Sequence, residues 1–495
     1  MKLSVNFVKN DFELQSLSKH LYMTLAYTSI QLHMQVRYIM EKNENIEMIT
    51  GDPKKAINKL ALPIIASMLL IFANNIIDSI WVAGLGAEPL AALGYITPLF
   101  MVLIGVGNGI GAGGNSLISR YIGAEDKLSA NNAAIHNLIL GIILSIIVSA
   151  ILLIFLEPLL NVMGASSVLN YAMEYGIVIF TFAFAILLPP IIGGAFRAEG
   201  DIKRSTVPIA LTAIINIIID PIFIYTLNLG VAGAAWATVI ANIIALAVML
   251  YWMFVKRDTF LKYSRENFKN ELNMYKDILV VGIPASLEQL ILSALTIAVN
   301  FMLTLASGPV AVAVYTAGWR IISIGMLPAI GIGTAAISVA GVAYGSKKYE
   351  NLRITLRYAV KVAFIASLVV CILINLFSSQ IAFIFSYSQS SAQLEPLIAS
   401  FLQIMCLFIL YVPFGASAGN IFQGVGKGTI SFVLTAIREF LLVLIFSYVL
   451  GFVFNMGEYG IYYGMLLGGG IGSLIAYVAI EWYINKLIGG RDNDG

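Results

Sequence analysis

The stretch from Ala195 to Thr238 reads AFRAEGDIKRSTVPIALTAIINIIIDPIFIYTLNLGVAGAAWAT. A basic turn, Arg197 to Arg204, opens an apolar segment of the length that crosses a bilayer, about 20 residues. The segment closes at a tight turn, Asn228 to Gly230, and a second apolar segment follows at once. That pattern is a helical hairpin in lipid. Its first arm carries Asn216 and Asp220. A carboxyl group at hydrocarbon depth is costly and has to be balanced by a partner, which makes Asp220 a functional candidate.

The rest of the chain has the same texture. Hydrophobic residues make up 59% and charged residues 11%, with a mean hydropathy of +0.89. Soluble domains carry about 25% charged residues. The fold class is therefore an all-α integral membrane protein. Twelve spans are predicted between Lys54 and Leu487, among them Lys54–Ala83, Val168–Gly193, Arg204–Leu227, Val231–Val255, Asp277–Ala306 and Pro396–Phe422. A net charge of +2 gives no electrostatic footprint for nucleic acid. Cys371 and Cys406 lie in apolar spans and read as small apolar fillers rather than a disulfide. His20, His33 and His136 are far apart, and no His/Cys metal spacing exists.

The loops orient the bundle. Ser119–Lys127, Arg197–Arg204, Lys256–Lys276 and Lys347–Arg353 are basic or mixed. The alternate loops, near Gly84, Glu157, Asn228, Gly308, Ser386 and Phe452, hold no Lys or Arg. Basic loops stay cytoplasmic, so both termini are expected inside a cytoplasmic (inner) membrane. Residues 1–51 form a polar extension without a cleavable-signal pattern. Within it Leu14–Tyr38 could form a weak helix, and Met40 or Met48 could be the true start. The expected organisation is an N-lobe at 52–255, a linker at 256–276, a C-lobe at 277–487 and a polar tail at 488–495.

The two halves resemble each other. KLALPIIASML from Lys59 aligns with VVGIPASLEQL from Val280, placing Pro63 over Pro284. Two further alignments place Gly123 over Gly345 and Gly200 over Gly426. Six spans per copy give both halves the same membrane orientation. Parallel repeats imply two pseudo-symmetric six-helix bundles about an axis along the membrane normal, with a cavity between them.

Asp78 lies about six residues, or roughly 9 Å, from the far end of the first span. Asn74 and Asn75 sit one turn earlier on the same side. Asp220 lies at a similar depth in the fifth span with Asn216 at i−4, and Thr238 enters from the sixth. Pro221 lacks an N–H, so the Ile217 carbonyl loses its helical donor. Two carboxylates, an amide, a hydroxyl and a free carbonyl suit a hard cation such as Na⁺, with Asp78 and Asp220 as the charged ligands. The same pair could instead hold a proton. The alternative is a structural, permanently protonated acid bonded to a neighbouring helix. Tyr175 is the aromatic residue placed near this site. No carboxylate occupies the equivalent C-terminal positions. Span seven instead carries Glu288, Gln289, Ser293, Thr296 and Asn300. The substrate cavity is assigned to Asn74, Asn75, Glu288, Gln289 and Asn300, with structural ion pairing as the other reading of the C-terminal charges. Glu288 or Glu439 is expected to pair with Arg438. Glycine runs at Gly105 and Gly468 lack the GK[ST] ending of a phosphate cradle and read as close helix packing.

On INKLALP, IDSIWVAGLGAEPLAALG, SLISRYIGAEDK and FRAEGDIKRS followed by NIIIDPIFIYTLNLGVAGAAWATVI, the chain resembles the multidrug and toxic compound extrusion (MATE) family over Asp52 to Leu487. The IDS motif and GIPASLEQ resemble its prokaryotic DNA-damage-inducible F branch. The resemblance implies a V-shaped pair of six-helix bundles and no enzymatic activity. It implies export of small cationic or amphipathic organic compounds by a single chain, with Na⁺ or H⁺ as coupling ion and no other cofactor. It places Asp78 and Asp220 as the acidic pair of the N-lobe cation site, Asn216 and Thr238 as its neutral ligands, and Tyr175 beside it. The extension 1–51 has no counterpart. A lipid-linked oligosaccharide flippase is the alternative function, disfavoured by the scarcity of intramembrane Arg and Lys. An aspartyl protease would need a Gly-x-Gly-Asp context that Ile217-Ile218-Ile219-Asp220 does not offer.

Overall fold

A computed structural model describes residues 44–386 and 392–492. The expected helix at Leu14–Tyr38 and the start at Met40 lie outside them. Among the described residues, ten helices are long and apolar enough to cross a membrane, or twelve when two bent pairs each count as one span. We number them α1 (Pro53–Ala83), α2 (Ala87–Gly123), α3 (Lys127–Val162), α4 (Ala165–Thr181 with Ala183–Ala198), α5 (Ile202–Thr226), α6 (Gly230–Lys256), α7 (Leu272–Ser307), α8 (Pro309–Gly345), α9 (Tyr349–Leu376), α10 (Glu395–Ile409 with Val412–Gly424), α11 (Gly428–Val453) and α12 (Gly457–Gly490).

The spans expected at Val168–Gly193 and Pro396–Phe422 are each broken, by 48° in α4 and 42° in α10. A proline explains the second: Pro413 sits in the first turn of the second piece of α10 and removes the N–H that the Ile409 carbonyl would accept, so the backbone bends where its hydrogen-bond ladder is interrupted. The break in α4 falls at Phe182, seven residues before Pro189, where no proline acts. A short helix, Ser378–Ser386, stands where only a loop was expected.

The repeat shows in the backbone. Left-handed residues recur in matched positions: Glu125 (φ 59) with Lys347 (φ 56), Gly200 (φ 77) with Gly426 (φ 82), and Asn228 (φ 52) with Asn455 (φ 53). Wide helical turns recur as well, at Ile222–Thr226 near the end of α5 and Val449–Val453 near the end of α11. Leu227 N–H reaches back five residues to the Ile222 carbonyl at 2.8 Å, and Phe454 to Val449 at 2.9 Å.

The halves meet along α1, α2, α7 and α8. At the end that carries the basic loops the approach is reciprocal. A Cβ on Gly123 would lie 2.2 Å from the Val342 carbonyl oxygen, and a Cβ on Gly345 only 1.9 Å from that of Arg120. Ser116 on α2 donates to the Gln423 and Gly424 carbonyls at the end of α10. Ser338 on α8 donates to Asn115 on α2 at 2.9 Å. Buried residues of both halves, among them Ile57, Ile118, Ile332 and Val339, form one continuous core there.

The linker is not a free tether. Asn131 accepts from Lys262 N–H at 2.9 Å, and Asn132 exchanges bonds with Lys269 N–H and C=O at 3.1 and 3.0 Å. His136 accepts Glu271 N–H at Nε2 and bonds the Asn132 carbonyl through Nδ1. Glu199 accepts from Leu261 N–H, and Arg204 pairs with Asp258 at 2.8 Å. Residues 256–271 are therefore clamped onto α3 and the α4–α5 turn. Asn132→Ala would strand a backbone N–H and C=O of Lys269. It is expected to lower stability by about 1–3 kcal/mol. Thermal unfolding in detergent would show the loss, and proteolysis within 256–276 would run faster than in the parent chain.

Candidate functional site

The far half of the N-terminal bundle gathers side chains from four helices. Asp220 on α5 is completely buried. It accepts at Oδ1 from Asn216 Nδ2 at 2.9 Å, while its Oδ2 has no donor. Asp78 on α1 faces it within side-chain hydrogen-bond reach, and the Asp78 Oδ1 also lacks a donor. Asn216 Nδ2 reaches Thr238 Oγ1 on α6 at 3.5 Å, and Tyr175 of α4 lies beside Thr238. Tyr175 is itself buried. The structure thus brings Asp78, Tyr175, Asn216, Asp220 and Thr238 into one pocket.

Local sequence explains the placement. Asn216 and Asp220 are one turn apart on α5, so both face α1 and α6. Pro221 interrupts the ladder immediately after Asp220, and a wide turn follows at 222–226. That turn carries Tyr225, whose hydroxyl donates to the Trp81 carbonyl near the end of α1. The Tyr225 and Trp81 rings stack edge to face at 6.3 Å. This aromatic bridge fixes α1 against α5 one turn beyond Asp78. No sequence signal pointed to it, because the partners are 144 residues apart.

The remaining candidates separate. Asn74 lies a turn below Asp78 with a buried Oδ1 that has no donor. Asn75 is exposed. Gln289 is exposed on α7, and its Cβ side packs on Gly105 of α2. Asn300 also has a buried Oδ1 without a donor, about 18 Å along α7 from Glu288 at 1.5 Å per residue. Glu288 accepts from Ser431 Oγ at 2.7 Å and from Gln423 Nε2 at 3.2 Å. The ion pair expected for Arg438 forms with Glu439, at 2.9 Å. Gln423 and Ser431, which hold Glu288, were missed from sequence. Neither is unusual in type, and only folding places α10 and α11 beside α7.

Electrostatically, the acid pair is two carboxyl groups with two bare oxygens, in a pocket whose other groups are neutral. Among the described residues no group of three or more His, Cys, Asp or Glu is assembled to hold a metal ion. The site can share a proton between its carboxyls or take one hard cation between them. Cys371 and Cys406 are both free and buried, as apolar fillers would be. A cavity of ≈ 660 Å³ lies elsewhere, at the basic end, lined by Ile46, Thr50, Lys127, Phe260 and Lys348.

Comparison with known proteins follows the repeat. The MatE family model matches residues 63–222 and 284–449. Multidrug export protein MepA of Staphylococcus haemolyticus is 25% identical over 436 residues, spanning 88% of this chain and 94% of that protein. The probable multidrug resistance protein YoeA of Bacillus subtilis is 28% identical over 351 residues, 68% of this chain and 74% of YoeA. Among solved structures, a MATE crystal structure in complex with MaL6 is 37% identical, with TM-score 0.87 over 90% of this chain and 99% of that one. A MOP superfamily transporter from Pyrococcus furiosus gives the same identity and TM-score over 90% and 98%. With the family model matched in each half and a solved member superposing along nearly the whole fold, the chain belongs to the MATE family of multidrug and toxic compound extrusion transporters.

Proposed function

We propose that this transporter is a secondary antiporter that exports small cationic or amphipathic organic compounds in exchange for Na⁺ or H⁺. The observation that carries the reading is the contact between Asp78 and Asp220, with one bare oxygen on each. Asn216, Thr238, Tyr175 and the Ile217 carbonyl supply the neutral side of the site. Relatives named as multidrug exporters support the direction and the class of cargo. Export follows when the ion binds one lobe arrangement more tightly than the other, since equal binding to both shifts nothing. The basic loops put the end where the halves touch in the cytoplasm. The acid pair then sits in the outer half. Asn74, Asn75, Gln289 and Asn300 line the path between the lobes, and Glu288 borders it.

The test is ethidium efflux from vesicles holding the single purified chain, with the Na⁺ and proton gradients set independently. Efflux should follow one of the two gradients and stop when that gradient alone is collapsed. Efflux that ignores both would sink the antiport reading.

A further inference from the structure

At the edge of the seam, near the basic end, α1 and α9 of opposite halves touch. Asn58 Nδ2 donates to the Tyr358 hydroxyl at 2.7 Å. Around this bond Lys55 and Lys59 on α1, and Arg357 and Lys361 on α9, are exposed. The same stripes continue as exposed apolar residues. On α1 they are Leu62 (72% exposed) and Leu69, and on α9 Ile365 and Leu368. A face of that composition on a membrane-spanning helix looks onto acyl chains.

The acids nearby are already engaged. Arg357 pairs with Glu481 at 2.9 Å, and Arg353 with Glu350 at 3.1 Å. Asp52 caps α1 through Lys54 N–H. Lys55, Lys59 and Lys361 have no ion pair with any described acid. Lys59 lies about 9 Å along α1 from its first residue, by the helical rise. Its long side chain can hold the ammonium at headgroup level while the stem lies along lipid. A lysine facing hydrocarbon is expensive unless something neutralises it. Among the described residues none supplies that anion.

We propose that this patch binds the phosphate of an anionic phospholipid, held between Lys59 of the first half and Lys361 of the second, astride the Asn58–Tyr358 bond. Free phosphate would satisfy the ammonium groups but would leave the apolar stripes on both helices uncovered. Acyl chains lying along Leu62, Leu69, Ile365 and Leu368 cover them. Because the lysines belong to different halves, the bound lipid favours the arrangement in which the basic end is sealed.

The experiment uses the full chain in vesicles made of equal parts phosphatidylglycerol and phosphatidylcholine. The protein is extracted in mild detergent, and the lipid that stays with it is measured by mass spectrometry. The parent chain should retain phosphatidylglycerol in preference to phosphatidylcholine. Lys59→Gln and Lys361→Gln should each cut that preference about fivefold, the effect of one lysine near an anionic surface. Lys59→Arg with Lys361→Arg should keep it. Thermal unfolding of each variant confirms a folded chain. The proposal fails if the parent shows no preference, if the two Gln substitutions together leave it unchanged, or if excess inorganic phosphate displaces the lipid.

Discussion

Asp78→Asn should reduce gradient-driven drug efflux to the level of vesicles without protein, while the chain still inserts and unfolds at a similar temperature. Asp78 Oδ1 and Asp220 Oδ2 are the two bare oxygens of the pocket. Asn216 already occupies the other oxygen of Asp220 at 2.9 Å. Removing one charge leaves a single carboxyl that can no longer share a proton or flank a cation. The bound ion loses one of its two charged contacts, worth about 1.5–3 kcal/mol, so ion affinity should fall roughly 10- to 150-fold. Lobe switching then loses its bias, because moving an equilibrium from 1:99 to 99:1 takes about 10⁴-fold differential affinity. Asp220→Asn should do the same, with some loss of stability besides, since Asp220 is wholly buried. Asp78→Glu retains the charge and should keep part of the coupling. Undiminished efflux in Asp78→Asn would remove the acid pair from the mechanism.

Gly345→Ala should hold the basic end apart. Its added Cβ would fall 1.9 Å from the Arg120 carbonyl oxygen and 2.7 Å from the carbonyl carbon. Both belong to backbone, so no side chain can rotate away. The lobes would have to separate by roughly 1.5 Å to regain ordinary contact. Overpacking of this kind costs about 1–3 kcal/mol, which lowers the sealed population 5- to 150-fold. A Ser338→Cys probe beside Asn115 reports the change, since Ser338 is fully buried in the sealed seam. Thiol labelling at that position should accelerate in Gly345→Ala and in Gly123→Ala, and efflux should fall. Gly94→Ala is the control, because a Cβ there meets nothing within 4 Å. Equal labelling rates in all three chains would show that the reciprocal glycine contact does not set the seal.

Much of the architecture was legible because lipid simplifies the problem. Every backbone group must be satisfied within its own span, so hydropathy alone places the crossings. The breaks in α4 and α10 were not placed in advance. Pro413 was visible, but whether a proline kinks or breaks a span depends on what packs against it, and the break at Phe182 has no proline beside it. The acid pair was legible at the level of depth. Asp78 and Asp220 each lie about two turns from the same end of their spans, so topology alone put them in one layer. Contact between them is a further fact, set by how α1 leans on α5 through Trp81 and Tyr225.

The C-terminal charges show the limit. Arg438 and Glu439 are adjacent in sequence, and their pairing was within reach of the cost of a lone buried charge. Glu288 was not, because its partners Gln423 and Ser431 are 135 and 143 residues away. The clamp on the linker was equally hidden. Asn131, Asn132 and His136 read as ordinary polar residues at the start of α3, and only the folded chain brings residues 256–271 over them.

By itself, then, the sequence determined the medium, the twelve crossings, the duplication and the depth of the two acids. These follow from local hydropathy and from spacing along single helices. Tertiary structure alone decided which oxygens are left bare, which glycines let the halves touch, and where the linker is held. Those depend on contacts between residues fifty or more positions apart, and no local property of the chain encodes such distances.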